Sequence, residues 1–287
     1  MRRLGFVGLG VMGRPMAGHL LTAGHDLTIW SRTPGKTDEL AGLGAKVAPS
    51  LEVLGARCEI VFLCVTKTED VQQCLEELTQ QAAPGSLFVD HSTIAPKGAV
   101  ELHRTLREGG FRFVDAPITG GSMGAQKGQL TIFCGGESSD IDEAKPVMTA
   151  YAKRAEFVGG PGAGQMMKMA NQIAVGGALL ALCESLSFAK KAGLDIGLTR
   201  ELLAGGAAGS WAFENYGPKI IASDWSPGFS VANQVKDFGY CLEAAADIDA
   251  ALPGTTLTND LLEQMLEEGD AGLTTAALYK KMLELGA

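Results

Sequence analysis

The chain has 287 residues, 46% hydrophobic and 20% charged, which is enough to bury a core in each of about two domains and excludes a disordered protein. A formal charge of -9 argues against a nucleic-acid surface, whose usual footprint is a basic patch. The charge is uneven: 16 Lys+Arg face 18 Asp+Glu up to residue 163, and 8 face 15 beyond it.

In chain order, strand-length apolar runs stand at Leu4–Val7, Leu27–Trp30, Ile60–Val65 and Leu87–Val89, bounded by Gly, Pro, Ser or Asp. Helical stretches such as Arg14–Ala23 and Glu69–Gln81 separate them, and further strands are expected at Phe111–Asp115, Leu130–Cys134 and Ala155–Val158. This β–α alternation predicts a parallel sheet with helices on both faces. After the glycine-rich hinge Gly159–Gly164 the pattern changes: Gln165 to Gly193 lacks Pro and reads as one long helix, and the rest is almost all helical. The expected fold is α/β, a Rossmann-type doubly wound sheet over 1–163 followed by an all-α C-terminal domain over 164–287.

The longest unbroken apolar stretch, Ile173–Cys183, is 11 residues, short of the roughly 20 that cross a bilayer, so no membrane span is expected. Two arginines open the chain before an apolar run, but early glycines, Arg14 and the lack of a small-residue cleavage site count against a signal peptide. Six Cys form no C-x-x-C pair, and four His form no H-E-x-x-H, so neither a disulfide framework nor a metal site is expected. The reading is a soluble, reduced, cytoplasmic protein.

Gly8-Leu9-Gly10-Val11-Met12-Gly13 places G-x-G-x-x-G between a strand and a helix. The first glycine permits a tight turn, the second lets backbone approach a pyrophosphate, and the third lets the helix pack on the sheet. The helix N-terminus then offers N–H groups to phosphate. An NAD site carries an acidic residue about 20 positions on. Here the second strand ends Trp30-Ser31-Arg32-Thr33, and the guanidinium of Arg32 suits a 2′-phosphate, with Ser31, Thr33 and Lys36 adding donors. NADP(H) is therefore expected over NAD(H). The bland alternative is a solvated arginine in a turn.

No Tyr is followed four residues later by Lys, and no catalytic zinc cluster is recognisable. The strongest acid/base candidate is Lys168, set among Met and Ala on a helix suited to burial. Asn171 and Gln172 follow at i+3 and i+4, so the three share a face that can hold a polar substrate. Desolvation can bring a lysine toward the range of a general acid/base; the competing reading is a lysine snorkelling to solvent.

At this point the sequence resembles the β-hydroxyacid dehydrogenases. Besides the glycine loop, Asp115-Ala116-Pro117-Ile118-Thr119-Gly120-Gly121 resembles the family's substrate-binding block, Gly162-x-Gly164-x-x-x-Lys168-x-x-Asn171 its catalytic block, and Lys236-Asp237-Phe238 its K-D-L block. The resemblance spans essentially the whole chain. It implies that Lys168 is the general acid in reduction and the base in oxidation. Thr119, Gly120 and Gly121 would then bind the substrate carboxylate, consecutive N–H groups forming an anion nest. Asn171 would hold the substrate carboxylate or hydroxyl, with Gln172 beside it. Lys236 would close over the nicotinamide, Ser92-Thr93 would contact its end, and Val65-Thr66 would pass the adenosine half. Thr119 replaces a commoner Ser, Phe238 a Leu, and Gln172 a second Asn, the last variation shared with tartronate semialdehyde reductases.

His91 at a strand end reads mainly as a hydrogen-bonded bystander, and Cys64 as a small buried hydrophobe. Trp211, Phe213 and Trp225 read as core or interface rather than as walls of a cavity, and Glu263–Asp270 as a solvated helix face. A decarboxylating sugar-phosphate dehydrogenase would need a longer helical part, and imine reductases usually lack the lysine. A cofactor-binding protein without catalysis is the alternative of another class. The expected activity is reversible NADPH-dependent reduction of a small carboxylated aldehyde, tartronate semialdehyde first. The alternatives are methylmalonate semialdehyde (the 3-hydroxyisobutyrate pair), succinic semialdehyde and glyoxylate. A homodimer or homotetramer is implied by the resemblance.

Overall fold

The computed structural model describes residues 2–285 and divides into two compact units, Met1–Lys168 and Met169–Ala287. The division falls inside the long helix, five residues beyond the boundary read from the glycine hinge.

In the first unit nine strands form one sheet: β1 (Arg3–Val7), β2 (Asp26–Trp30), β3 (Lys46–Val47), β4 (Ile60–Leu63), β5 (Leu87–Asp90), β6 (Arg112–Asp115), β7 (Ile118–Thr119), β8 (Leu130–Gly136) and β9 (Ala152–Gly159). Their order is β3-β2-β1-β4-β5-β6-β8-β7, with β9 on β8. The first six are parallel, in the register Leu4↔Leu27, Leu4↔Ile60, Ile60↔Leu87 and Leu87↔Arg112. β8 runs antiparallel to β6 and β7, so the sheet is mixed rather than wholly parallel. Continuous apolar runs such as Ile60–Leu63, buried at every position, are what a strand covered on both faces requires. Two clusters cover the faces, one around Phe6, Phe62 and Tyr151, the other around Val61, Phe88 and Phe113.

Strand order reverses between β1 and β4, and open α/β sheets bind ligands beyond the strand C-termini at such a switch point. The glycine loop after β1 and the segments after β4 and β5 all stand at that edge.

The second unit is helical. Asp195, Ser210 and Ser230 each cap a helix by accepting a backbone N–H three residues on, which is why those helices begin where they do. Leu179, Leu182, Cys183 and Leu186 pack with Phe213, Phe238, Leu262 and Tyr279 in its core. Ala163–Lys191 spans 29 residues with a mean hydropathy of 1.5 over its best window, so this helix is long and apolar enough to cross a membrane by length and composition, beyond what the 11-residue apolar stretch indicates. In the structure 44% of that window is buried. All six cysteines are free.

Candidate active site

Each glycine of the loop has a separate reason. Gly8 has φ +92°, and a Cβ there would lie 2.3 Å from the Cys64 carbonyl oxygen. At Gly13 a Cβ would lie 1.9 Å from the Gly8 carbonyl oxygen. Gly10 is different: a Cβ would have nothing within 4 Å, so packing does not require glycine there. What a bare backbone at Gly10 provides is room for something outside the protein. The helix Gly13–Thr22 that follows has no side-chain cap and no acid in its first turn, which leaves its start suited to an anion. These residues fit a dinucleotide pyrophosphate; within the loop Leu9 is buried and Val11 exposed.

At the end of β2, Arg32 is exposed and its Nη1 lies 3.5 Å from an Asp70 carboxylate oxygen. Thr33 N–H donates to the Ser31 hydroxyl at 3.3 Å, closing the turn. The segments after β4 and β5 are tied together: Val65 N–H donates to Ser92 Oγ at 2.9 Å, and Ser92 N–H to Asp90 at 2.9 Å. Thr66 is exposed and Thr93 half-buried on these segments.

His91 is buried with both ring nitrogens engaged, Nδ1 at 2.7 Å from the Ala116 carbonyl and Nε2 at 2.8 Å from the Tyr151 hydroxyl. Nδ1–H must donate to the carbonyl, and with the ring held neutral by its burial Nε2 accepts the Tyr151 proton. Burial pushes its pKa down to about 4. Its place is structural. Cys64 is a half-buried thiol pushed up to about 12 by burial.

At the start of the long helix polar side chains are the buried ones. Met166 and Met167 are 37% and 43% exposed, while Gln165 and Lys168 are buried. The Lys168 ammonium donates to the Ile118 carbonyl at 2.9 Å. Immediately after Ile118 come half-buried Thr119 and Gly120 and exposed Gly121, the two glycines at φ +126° and +63°. That left-handed backbone is open to glycine at little cost. Lys168 is therefore brought to the base of the Thr119-Gly120-Gly121 turn.

Two residues within the quoted blocks have roles that sequence reasoning missed. Asp115 accepts from the N–H groups of Gly162 and Gln165 at 2.9 and 3.0 Å, and burial pushes its carboxyl up to about 6 against those hydrogen bonds. The Gln165 side chain accepts from Ile94 N–H at 3.2 Å and donates to the Ser92 carbonyl at 2.8 Å. The spacing of glycines 162 and 164 before the lysine hints at a tight helix start; nothing in the chain says which carboxylate meets it.

In the second unit, Asn171 Nδ2 donates to Gln172 Oε1 at 2.9 Å, and Gln172 Nε2 donates to Asp237 at 2.6 Å. Lys236 Nζ lies 2.9 Å from the other Asp237 oxygen and 5.1 Å from the Tyr240 ring centre. Gln172 and Asp237 are buried, Asn171 and Lys236 half-buried, so the chain of contacts runs between two accessible ends. Phe213 is core; Trp211 is 46% exposed and edge-on to Tyr216, and Trp225 packs against the core. Among the described residues no group of three or more His, Cys, Asp or Glu is gathered as metal ligands.

A Rossmann-type sheet with an open glycine loop at its switch point, followed by a helical unit, defines a dinucleotide-dependent oxidoreductase. Comparison with known proteins narrows the class. Residues 3–160 match the family described as the NAD binding domain of 6-phosphogluconate dehydrogenase, and residues 162–282 the one described as NAD-binding of NADP-dependent 3-hydroxyisobutyrate dehydrogenase. The 2-hydroxy-3-oxopropionate reductase of Escherichia coli is 35% identical over 98% of this chain and 97% of its own length. A probable mitochondrial 3-hydroxyisobutyrate dehydrogenase-like protein of Arabidopsis thaliana is 37% identical over 96% and 84%. The solved 3-hydroxyisobutyrate dehydrogenase of Mycobacterium tuberculosis, 29% identical, superposes with a TM-score of 0.88 over 98% of this chain and 99% of its own. The chain belongs to the β-hydroxyacid dehydrogenase family, NAD(P)-dependent oxidoreductases that act on CH–OH groups.

Proposed function

We propose that this protein is an NADPH-dependent reductase of small carboxylated aldehydes, working reversibly, with tartronate semialdehyde (2-hydroxy-3-oxopropanoate) as its first substrate. The observation that carries the reading is the buried Lys168 ammonium held at the Ile118 carbonyl, next to the Thr119-Gly120-Gly121 turn. The bound nicotinamide supplies hydride to the aldehyde carbon. Lys168 gives the carbonyl oxygen its proton and is left a neutral amine, which solvent reprotonates. In the reverse direction the amine takes the hydroxyl proton. The turn binds the carboxylate through the Thr119 hydroxyl and backbone N–H groups, placing the aldehyde for attack.

The other assignments follow the same reading. Gly8, Leu9, Gly10, Val11, Met12 and Gly13 hold the pyrophosphate, and Ser31, Arg32 and Thr33 the 2′-phosphate. Val65 and Thr66 line the adenosine half, Thr93 and Lys236 the nicotinamide side, and Asn171, oriented by Gln172, the substrate. Exposed Phe188, Leu198 and Leu202 support a homodimer or homotetramer, and the free cysteines a reducing compartment such as the cytoplasm.

The similarity to 2-hydroxy-3-oxopropionate reductase favours tartronate semialdehyde, and that to 3-hydroxyisobutyrate dehydrogenases makes methylmalonate semialdehyde the second reading. Initial rates with NADPH and NADH on three- and four-carbon semialdehydes test both. Turnover of a semialdehyde with NADPH preferred supports the proposal. Tight NADPH binding without turnover of any semialdehyde contradicts it.

A further inference from the structure

The first turn of the long helix is held from outside it. Asp115 ends β6 fully buried, and its two carboxylate oxygens accept separately from Gly162 N–H at 2.9 Å and Gln165 N–H at 3.0 Å. Both are groups that a helix leaves without partners at its start, where the macrodipole also favours negative charge. Space around the carboxylate is closed: a Cβ at Gly135 would lie 2.7 Å from one of its oxygens, and a Cβ at Gly164 2.8 Å from the other. The same turn is held again by the Gln165 side chain, which bridges the Ser92 carbonyl and Ile94 N–H.

Lys168 lies one turn further along this helix, and its ammonium meets the carbonyl of Ile118, three residues after Asp115. The contacts close a ring. From Asp115 they pass through Gly162 and Gln165 to the helix, along one turn to Lys168, across to Ile118, and back along the chain to Asp115. One short segment therefore both fixes the helix start and receives the lysine at its end.

We propose that Asp115 is a positioning residue for Lys168, its carboxylate setting the rotation and height of the helix turn that carries the ammonium to the Thr119-Gly120-Gly121 turn. The consequence for catalysis rests on the reading of Lys168 as proton donor; the positioning itself does not. A carboxylate is needed because two N–H donors converge on it. An amide offers one oxygen and turns an N–H2 group against the second donor, so Asp115→Asn keeps the shape and breaks the grip. A role in folding alone predicts equal damage everywhere in the unit, whereas positioning predicts damage at Lys168.

The test compares wild type and Asp115→Asn by two independent readouts. In the first, lysines are reductively methylated with formaldehyde and cyanoborohydride and located by mass spectrometry. Lys168 labelling should rise at least fivefold while exposed Lys127 stays unchanged. In the second, kcat on the best semialdehyde should fall about 10- to 100-fold, with the NADPH dissociation constant within twofold. In a Lys168→Ala background the same change should alter the residual rate less than twofold. Unchanged Lys168 labelling overturns the proposal, as does an equal loss of rate in both backgrounds. If Asp115→Asn does not fold, Gln165→Glu, which spoils the Ser92 contact on the same turn, should raise Lys168 labelling in the same direction, and no rise there overturns it too. If labelling responds as expected but wild type turns over no semialdehyde, the positioning stands and the assigned reaction falls.

Discussion

Gln172 and Asp237 meet at 2.6 Å, both buried, 65 residues apart in the chain. Because a carboxylate only accepts, the Gln172 amide must turn Nε2 toward Asp237 and Oε1 toward Asn171, which fixes the polarity of the whole chain of contacts. Gln172→Leu would leave Asn171 and a buried carboxylate each short of a partner. The expected cost is about 1–3 kcal/mol, the penalty for stranding buried polar groups, against a few tenths for a typical surface change. Urea unfolding measures it; an unchanged midpoint would show that Gln172 does not support Asp237.

The glycine loop separates room for the fold from room for a ligand. Gly13→Ala sets a methyl 1.9 Å from the Gly8 carbonyl oxygen and should destabilise the unit by more than 2 kcal/mol, with strand β1 and the following helix forced apart. Gly10→Ala meets nothing in the protein and should leave thermal unfolding within a degree or two, while weakening NADPH binding at least tenfold. Equal stability losses in the two variants would remove the argument that Gly10 is bare for a ligand's sake.

Two buried groups give opposite pH signatures. His91 is held neutral to about 4, against 6.5 when unfolded, so its contribution is present above 6.5 and lost as pH falls toward 4. Asp115 is raised from 3.8 to about 6, so what it contributes is fully present below 3.8 and lost as pH rises through 6. In wild type the two largely offset between pH 6 and 4. His91→Gln removes the first alone, and its stability at pH 4 relative to pH 7 should exceed that of wild type by on the order of 3 kcal/mol. Parallel pH profiles for the two proteins would contradict this.

Much of the fold was legible because buried strands announce themselves: Leu4–Val7, Leu27–Trp30 and Ile60–Leu63 are short, largely apolar runs between turn residues. β3 and β7, of two residues each, carry no period and went unread, and the antiparallel return through β8 has no local signature. The long helix runs from Ala163 to Lys191, two residues earlier at each end than the reading, because Gly162 at φ +82° and Gly193 at +76° bound it on either side. Lys168 stood out as a cation in an apolar helix. Asp115, Gln165 and Asp237 did not, since their work lies in contacts 47 to 73 residues away, which no spacing encodes.

Cofactor preference should turn on Arg32. The exposed guanidinium is free of the sheet and pairs with Asp70 across 3.5 Å, an exposed contact worth little on its own and easily exchanged for a phosphate. Arg32→Asp removes the donor fork and adds a like charge beside Asp70. The ratio of kcat/KM for NADPH over NADH should fall at least tenfold, most of it in KM. An unchanged ratio would exclude Arg32 as the 2′-phosphate contact.

The most direct test of the central claim is Lys168→Ala, assayed on the best semialdehyde with NADPH and, separately, for NADPH binding by fluorescence. General acid catalysis contributes about 10²–10⁴-fold, so kcat should fall by that factor with cofactor affinity within twofold of wild type. A variant that keeps more than a tenth of the wild-type kcat would show that another group protonates the carbonyl oxygen.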